Sequence, residues 1–280
     1  MKKSAGAITL KIVIYVVCIF LTLLSIMPFW IMIVNSTRST YEIQQHAVSL
    51  IPSGYFLKNF AILTGKSFSP MKGFLNSCII SVGATACTVY FSTLTAYAVV
   101  VYNWKLRQPF FTMILAIMMI PAQVTSIGFY QFMYQIGMTN NFLALILPAV
   151  AAPATVFFMR QFMQPTLSID IINAARIDGG REFYIFNKIV LPIMKPAIAT
   201  QAIFGFVNSW NQLFLPLILL TDNKKYTMPI MVSLLRGDIY KTEYGAVYLG
   251  LALTVLPLFV VYFLLSKYII AGVALGGVKG

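Results

Sequence analysis

Asn173-Ala174-Ala175-Arg176-Ile177-Asp178-Gly179, followed after nine residues by Ile189-Val190-Leu191-Pro192, is a patterned polar segment between two long apolar stretches. Ile171, Ala174, Ala175 and Asp178 recur at i, i+3, i+4 and i+7, so a helix here presents two alanines and an isoleucine on one face. Small side chains on that face let another body approach closely. Gly179-Gly180 then breaks the helix, because paired glycines are poor helix formers and permit a sharp redirection of the chain. A second helix is expected to carry Phe183, Phe186, Asn187 and Val190 on one stripe, with Leu191-Pro192 ending it. The pattern predicts an angled pair of short helices projecting from a membrane. Such a pair is either an amphipathic loop resting on lipid head groups or a docking site for another protein.

The membrane follows from composition. Of 280 residues, 59% are hydrophobic and 10% charged, and the mean hydropathy is +0.84, which leaves too little polar surface for a soluble domain. The fold class expected is all-α. Crossing about 30 Å of hydrocarbon takes roughly 20 apolar residues in a helix. Six such stretches lie near 11–34, 74–101, 109–132, 142–163, 196–220 and 245–270. Barrel strands would need only about ten residues each and would alternate polar with apolar. The first stretch is too long for a signal peptide and lacks a small-residue cleavage site, so it reads as a permanent helix. The chain reads as one domain over residues 1–280.

Lys and Arg near the span ends set the orientation. Short segments on the side of the termini carry Lys105, Arg107, Arg160, Arg176, Arg181, Lys188, Lys195 and Lys267. The opposite side carries its basic residues mostly in two longer loops, which count less, so both termini are expected in the cytoplasm. The net charge of +13 then meets anionic lipid and acidic partners, and no soluble basic domain exists to bind nucleic acid. Cys18, Cys78 and Cys87 fall inside spans with neither zinc nor disulfide spacing, and His46 is alone, so no metal site is expected.

The loops differ in character. Residues 35–72 are interrupted by Pro52, Gly54, Gly65 and Pro70, yet Phe56, Leu57, Phe60, Ile62 and Leu63 suggest a short amphipathic helix at the membrane surface. Residues 103–109 form a tight basic turn with Trp104 at the interface, and Gly137 to Asn141 an uncharged turn that should be short and ordered. Residues 164–195 are the longest cytoplasmic loop. Asn208, Asn211 and Gln212 stand at 0, +3 and +4 on the fifth span, with Trp210 beside them. They either line a solute path, amides bonding hydroxyls and an aromatic ring packing on C–H faces, or hydrogen-bond neighbouring helices.

The spacing Ala-Ala, three residues, Gly, nine residues, Ile-x-Leu-Pro resembles the cytoplasmic "EAA" loop of permease subunits of bacterial ATP-binding-cassette importers. The likeness extends to Asn76-Ser77, Ala96-Tyr97-Ala98, Arg160-Gln161-Phe162, Trp210-Asn211, Leu215-Pro216-Leu217 and Gly276-Gly277-Val278-Lys279-Gly280. Together these are similar to the carbohydrate-importer branch, in particular to the smaller membrane subunit of maltose-type transporters. The resemblance implies a type I importer permease fold with six spans, cytoplasmic termini and a coupling helix between spans four and five. It implies an ATPase-docking surface at Asn173, Ala174, Ala175, Arg176, Asp178, Gly179, Glu182, Phe183 and Phe186. Gly276, Gly277 and Lys279 would add a second ATPase contact, unless the tail is loose. Tyr226, Pro229 and Leu235, in the loop from Asp222 to Tyr244, would reach an extracytoplasmic binding protein, unless that loop is a simple surface connection.

One position departs from the family: Asn173 stands where its loop has Glu. An amide keeps hydrogen bonding but loses a charge-assisted contact worth about 1–3 kcal/mol if buried. Asp178 and Glu182 are the nearby candidates to supply the negative charge instead. No G-x-x-x-x-G-K-[ST] phosphate loop occurs, so ATP and Mg are expected on a partner ATPase dimer and no cofactor on this chain. The implied partners are a homologous permease, that ATPase, a binding protein, a carbohydrate solute and the bilayer. A secondary carrier would usually show mid-membrane charges or two related halves, and an intramembrane enzyme clustered acid, base or metal groups; the span cores offer almost no acidic residue. Composition alone suits almost any polar solute.

Overall fold

The computed structural model describes residues 5–65, 69–235 and 242–276, with side chains except at 5–9, 122, 123, 265 and 267–276. The described residues form helices and turns, with no strand among them. Contacts divide the chain into two compact units, Met1–Pro70 with Met231–Leu256, and Met71–Ile230 with Pro257–Gly280.

The first unit begins with α1 (Ala5–Ser36), whose stretch Leu10–Ser36 has a mean hydropathy of 2.6 and buries none of its most apolar window. An apolar surface of that extent matches a lipid environment. Two short helices follow, α2 (Thr40–Gln45) and α3 (Phe56–Gly65). Ser39 and Glu42 close a capping box at the start of α2, each side chain engaging the other's backbone N–H. Arg38, 7% exposed, donates to Asn35 Oδ1 at 3.1 Å, the His46 carbonyl at 2.7 Å and the Glu42 carbonyl at 2.9 Å. Asn59 is buried and donates to the carbonyls of Ser36 at 2.8 Å and Arg38 at 2.9 Å. A buried cation is tolerable only when its donors are satisfied, and this knot satisfies them with carbonyl oxygens. The expected amphipathic helix is therefore present as α3, but Asn59 and Leu63 form its buried face, while Phe56, Leu57 and Phe60 point outward.

The second unit is organised on α4 (Pro70–Val101), an unbroken 32-residue helix. The expected third span appears as α5 (Arg107–Ile117) and α6 (Ala122–Gln135), separated at Pro121. The fourth appears as α7 (Leu143–Ile146), a 3₁₀ turn Leu147–Val150, and α8 (Pro153–Thr166). Proline lacks an N–H and disfavours helix in the residue before it, so Pro153 keeps Ala152 (φ −116°, ψ 81°) out of the helical region, and Ala151 (φ −96°, ψ 82°) is non-helical as well. The loop helices are α9 (Ile169–Ile177), α10 (Glu182–Ile185), a π-helical turn Phe186–Val190, and α11 (Leu191–Ile193). The expected fifth span is α12 (Lys195–Asn211) followed, after an extended Gln212, by α13 (Phe214–Leu219). A 3₁₀ turn at Asn223–Lys225 leads to α14 (Met228–Leu234), and the long α15 (Tyr244–Gly276) ends the described chain.

Among the described residues, four helices qualify by length and apolarity to cross a membrane: Leu10–Ser36, Pro70–Val101, Leu143–Thr166 and Tyr244–Leu264. A fifth is added if Glu182–Ile193 and Lys195–Asn211, bent by 81°, count as one. The turn at residues 137–141 is ordered as expected. Gly137 (φ 68°) and Asn140 (φ 56°) adopt the left-handed region, and the Asn140 side chain accepts from Thr221 N at 3.3 Å and Asp222 N at 3.2 Å.

Gly245 is tightly constrained, because a Cβ there would lie 2.3 Å from the Arg38 carbonyl and 2.5 Å from the Asn59 amide. Gly245→Ala is expected to destabilise the chain by about 1–3 kcal/mol through overpacking. Gly250→Ala, whose Cβ would meet only side chains, Val232 at 3.3 Å, Leu235 at 3.4 Å and Leu63 at 3.5 Å, should cost less. Thermal unfolding of the detergent-purified variants measures both.

Candidate functional site

Two features of the second unit carry chemistry. One is a cavity of about 1040 Å³ lined by segments of α4, α6, α8, α12 and α13 and by the unwound residues between α7 and α8. Gln201, Asn208, Asn211 and Gln212 line it together with Ser209, Thr125, Ser126 and Thr155. The four side-chain amides make no hydrogen bond to other described residues, so bonding to neighbouring helices of this chain does not account for them. No ionisable side chain is among the described residues lining the cavity. Broken helices belong here: irregular backbone at membrane depth is tolerated where it lines a water-filled space, and Ala151, Ala152, Pro153 and Gln212 all face the cavity.

Two corrections follow for this face. Trp210 is 1% exposed and stacks on Phe206 at 5.5 Å, with Phe74 edge-on at 5.8 Å, so it is a core residue and not a solute platform. The reason is helical geometry: a residue two positions from Asn208 lies about 200° around the helix. Gln201 was missed by the sequence reading although it stands seven residues before Asn208, hence on the same face. Asn76 has a different role: it donates to the carbonyls of Lys224 at 2.8 Å and Tyr226 at 3.0 Å.

The other feature is the 164–195 loop. Ser168 caps α9 by accepting from Asp170 N at 3.2 Å. At its far end Gly180 N bonds the Ala175 carbonyl at 2.9 Å and Gly179 N the Arg176 carbonyl at 3.0 Å. With Gly179 at φ +81°, these two bonds make a Schellman stop, which explains the Asp-Gly-Gly sequence physically. A Cβ at position 180 would approach the Ala175 carbonyl to 2.7 Å, so the second glycine is required as well.

Beyond the turn, Glu182 accepts from Arg176 Nε at 2.6 Å through one carboxylate oxygen and from Tyr97 Oη at 3.0 Å and Tyr102 Oη through the other. Arg176 also donates to Asn173 Oδ1 at 3.3 Å. The Arg176 bond is the first cause holding the Glu182 carboxyl below the usual carboxylate range, while burial and the bond to Glu182 push the Tyr102 phenol up. Glu182 is thus committed within this chain, and of the two acidic candidates to replace the family carboxylate only Asp178 stays exposed and without an ion-pair partner among the described residues.

Phe186 needs the same revision. It is 1% exposed and packs on Tyr90 and Tyr97, in a cluster with Met159, Met163, Ile172, Ile185, Val190 and Met194. It anchors the loop and does not belong to its outer face. That face comprises Asn173, Ala174, Asp178, Gly179 and Phe183, with Ala175 and Arg176 half-buried. Ile177, 86% exposed, is more exposed than any other large apolar residue described.

The remaining site expectations fall outside these features. Tyr226 and Pro229 are half-buried, Thr227, Met228 and Ile230 are buried, and Leu235 is partly exposed, so little of this segment stands free. Gly276 ends α15, and Gly277 and Lys279 lie outside the described residues.

Described residues that form helices with no strand among them, a polar cavity among broken helices and a capped, exposed loop helix α9 fit a membrane permease. The chain matches the family model described as "Binding-protein-dependent transport system inner membrane component" over residues 88–274, and it belongs to that family. It is 35% identical over 263 residues to the arabinooligosaccharides transport system permease protein AraQ of Halalkalibacterium halodurans, covering 93% of this chain and 94% of that one. It is 32% identical over 268 residues to the lactose transport system permease protein LacG of Rhizobium radiobacter, covering 96% of each. Its fold is that of a chain in the crystal structure of a bacterial ABC transporter involved in the import of the acidic polysaccharide alginate. There the TM-score is 0.80 at 22% identity, over 96% of this chain and 99% of that chain.

Because folding lowers the Glu182 pKa, its stabilising contribution is complete above the unfolded carboxylate value of about 4.3 and is lost as pH falls through the folded value. The wild-type chain should therefore lose thermal stability below about pH 4 more steeply than Glu182→Gln. Parallel melting curves across an acid pH series check this.

Proposed function

We propose that this chain is one membrane-spanning half of an ATP-driven importer for a carbohydrate, an oligosaccharide delivered by an extracytoplasmic binding protein. Six crossings with cytoplasmic termini, as a single permease domain over residues 1–280, place it as a multi-pass protein of the inner membrane. In this reading the broken pairs α5–α6 and α12–α13 each count as one span. A homologous permease completes the pore. ATP and Mg bind the partner ATPase dimer, which docks under the outer face of α9, so this chain performs no hydrolysis itself.

The observation that carries the solute class is the cavity. Four unpaired amides and several hydroxyls offer donors and acceptors to sugar hydroxyls, and the described lining holds no cation to pair with an acidic solute. Relatives that carry arabinooligosaccharides and lactose support a neutral sugar. The exposed Ile177 and Phe183 favour a protein over head groups as the occupant of the loop surface, since a patch of large apolar side chains on a capped, rigid turn suits burial against another chain.

Purification through a tag on this chain from its native membrane should bring down a second permease and an ATPase. Gly179→Pro fixes φ near −65° where +81° is required, so the ATPase should be lost while the permease partner stays. Recovery of the chain alone, with transport intact, would favour a secondary carrier. Uptake of labelled arabinotriose and lactose in cells should show KM raised about tenfold for the better substrate in Gln201→Ala with Asn208→Ala, the loss of two neutral hydrogen bonds. Unchanged KM would remove the lining role of these amides.

A further inference from the structure

We infer that Glu182 is a positioning residue that couples α9 to the cavity wall, passing displacement of the docking helix into α4. The inference rests on the importer reading given above. Glu182 receives hydrogen bonds from three places at once: Arg176 on α9, Tyr97 on α4 and Tyr102 just beyond the end of α4. The Arg176 guanidinium also lies 5.5 Å from the centre of the Tyr102 ring.

The other ties between the loop and α4 are of a different kind. Ile172 and Phe186 sit in an apolar cluster, and apolar contacts are non-directional, so they hold the surfaces together but permit sliding. The Tyr90 bond to Asn187 Oδ1 is neutral and long at 3.3 Å. Charge-assisted bonds are shorter, stronger and directional, and among the described residues Arg176–Glu182 is the one ion pair. A push on α9 therefore reaches Tyr97 through a defined geometry.

From Tyr97 the same rod leads to the solute. Helix α4 has no break over Pro70–Val101, and its Ile80, Ala84 and Thr88 line the cavity. Ala84 lies thirteen residues from Tyr97, about 20 Å along the axis at 1.5 Å per residue. Thr88 also donates to the carbonyl of Ala149 at 2.9 Å, in the 3₁₀ turn of the fourth span, so a shift of α4 disturbs the backbone that borders the cavity.

The test uses the complex purified from its native membrane, with Cys18, Cys78 and Cys87 replaced by serine and Ala84→Cys as the reporter. Labelling of the reporter by a charged maleimide is timed without nucleotide and after trapping with Mg-ATP and vanadate. With Glu182 intact, trapping should change the rate by about 5–150-fold, the usual range for coupled sites. In Glu182→Gln the ATPase should still co-purify and hydrolyse ATP, but the change should shrink to less than about twofold. Glu182→Asp should recover part of it, which a purely structural loss would not. Tyr97→Phe with Tyr102→Phe removes only two hydroxyls and should give an intermediate response; it decides the matter if Glu182→Gln fails to accumulate. A full response in Glu182→Gln, or in the double tyrosine variant where that one decides, overturns the inference. So does loss of the ATPase from the Glu182→Gln complex, which would make Glu182 a docking determinant. If the reporter beside intact Glu182 ignores nucleotide, the importer reading fails and the inference falls with it.

Discussion

A helix surrounded by hydrocarbon gains little by hiding leucines from lipid, so packing in such a body depends on how closely backbones approach. In the second unit that approach is made by α4. Eight of its twelve buried positions are small: Gly73, Ser77, Ser81, Ala84, Thr88, Ser92, Thr93 and Ala96. Against it Gly205 on α12 comes within 3.7 Å of the Thr85 side chain, measured from where a Cβ would stand. One stiff helix thereby holds three things in register: residues 224–228 through Asn76 and Ser77, the cavity through Ile80, Ala84 and Thr88, and the 164–195 loop through Tyr90 and Tyr97.

The loop was the most legible part of the chain, because its signals are local. Cap, small face and glycine pair act within a few residues, and the observed Schellman stop uses the Gly179 and Gly180 that the sequence singles out; the stop expected at Leu191-Pro192 is absent, since the helical run continues through Pro192 to Ile193. Which side of each helix faces inward was harder to read. Phe186 and Trp210 looked functional by residue type, yet both are 1% exposed, since large aromatic side chains serve packing as readily as recognition. Periodicity applied more strictly would have excluded Trp210 and found Gln201.

The breaks in the third, fourth and fifth spans were hidden for another reason. A hydropathy window averages over about nineteen residues and does not register an interrupted backbone. Prolines alone do not reveal the breaks either, because Pro28 and Pro257 lie inside continuous helices. What marks Pro153 is the non-helical pair Ala151-Ala152 before it, and the polar space those residues border. Long-range pairings such as Glu182 with Tyr97 and Tyr102, or Asn59 with Arg38, depend on how distant segments meet, which no local pattern encodes.

The central claim is that packing of Phe186 and bonding of Glu182 leave the α9 turn aimed at a protein partner. A photo-activated benzophenone residue placed at Ile177 in the native membrane tests it most directly, with the adducts identified by mass spectrometry. The account predicts a cross-link to the ATPase that co-purifies with the chain. Adducts to lipid alone, with that ATPase present and uncoupled to position 177, would contradict it.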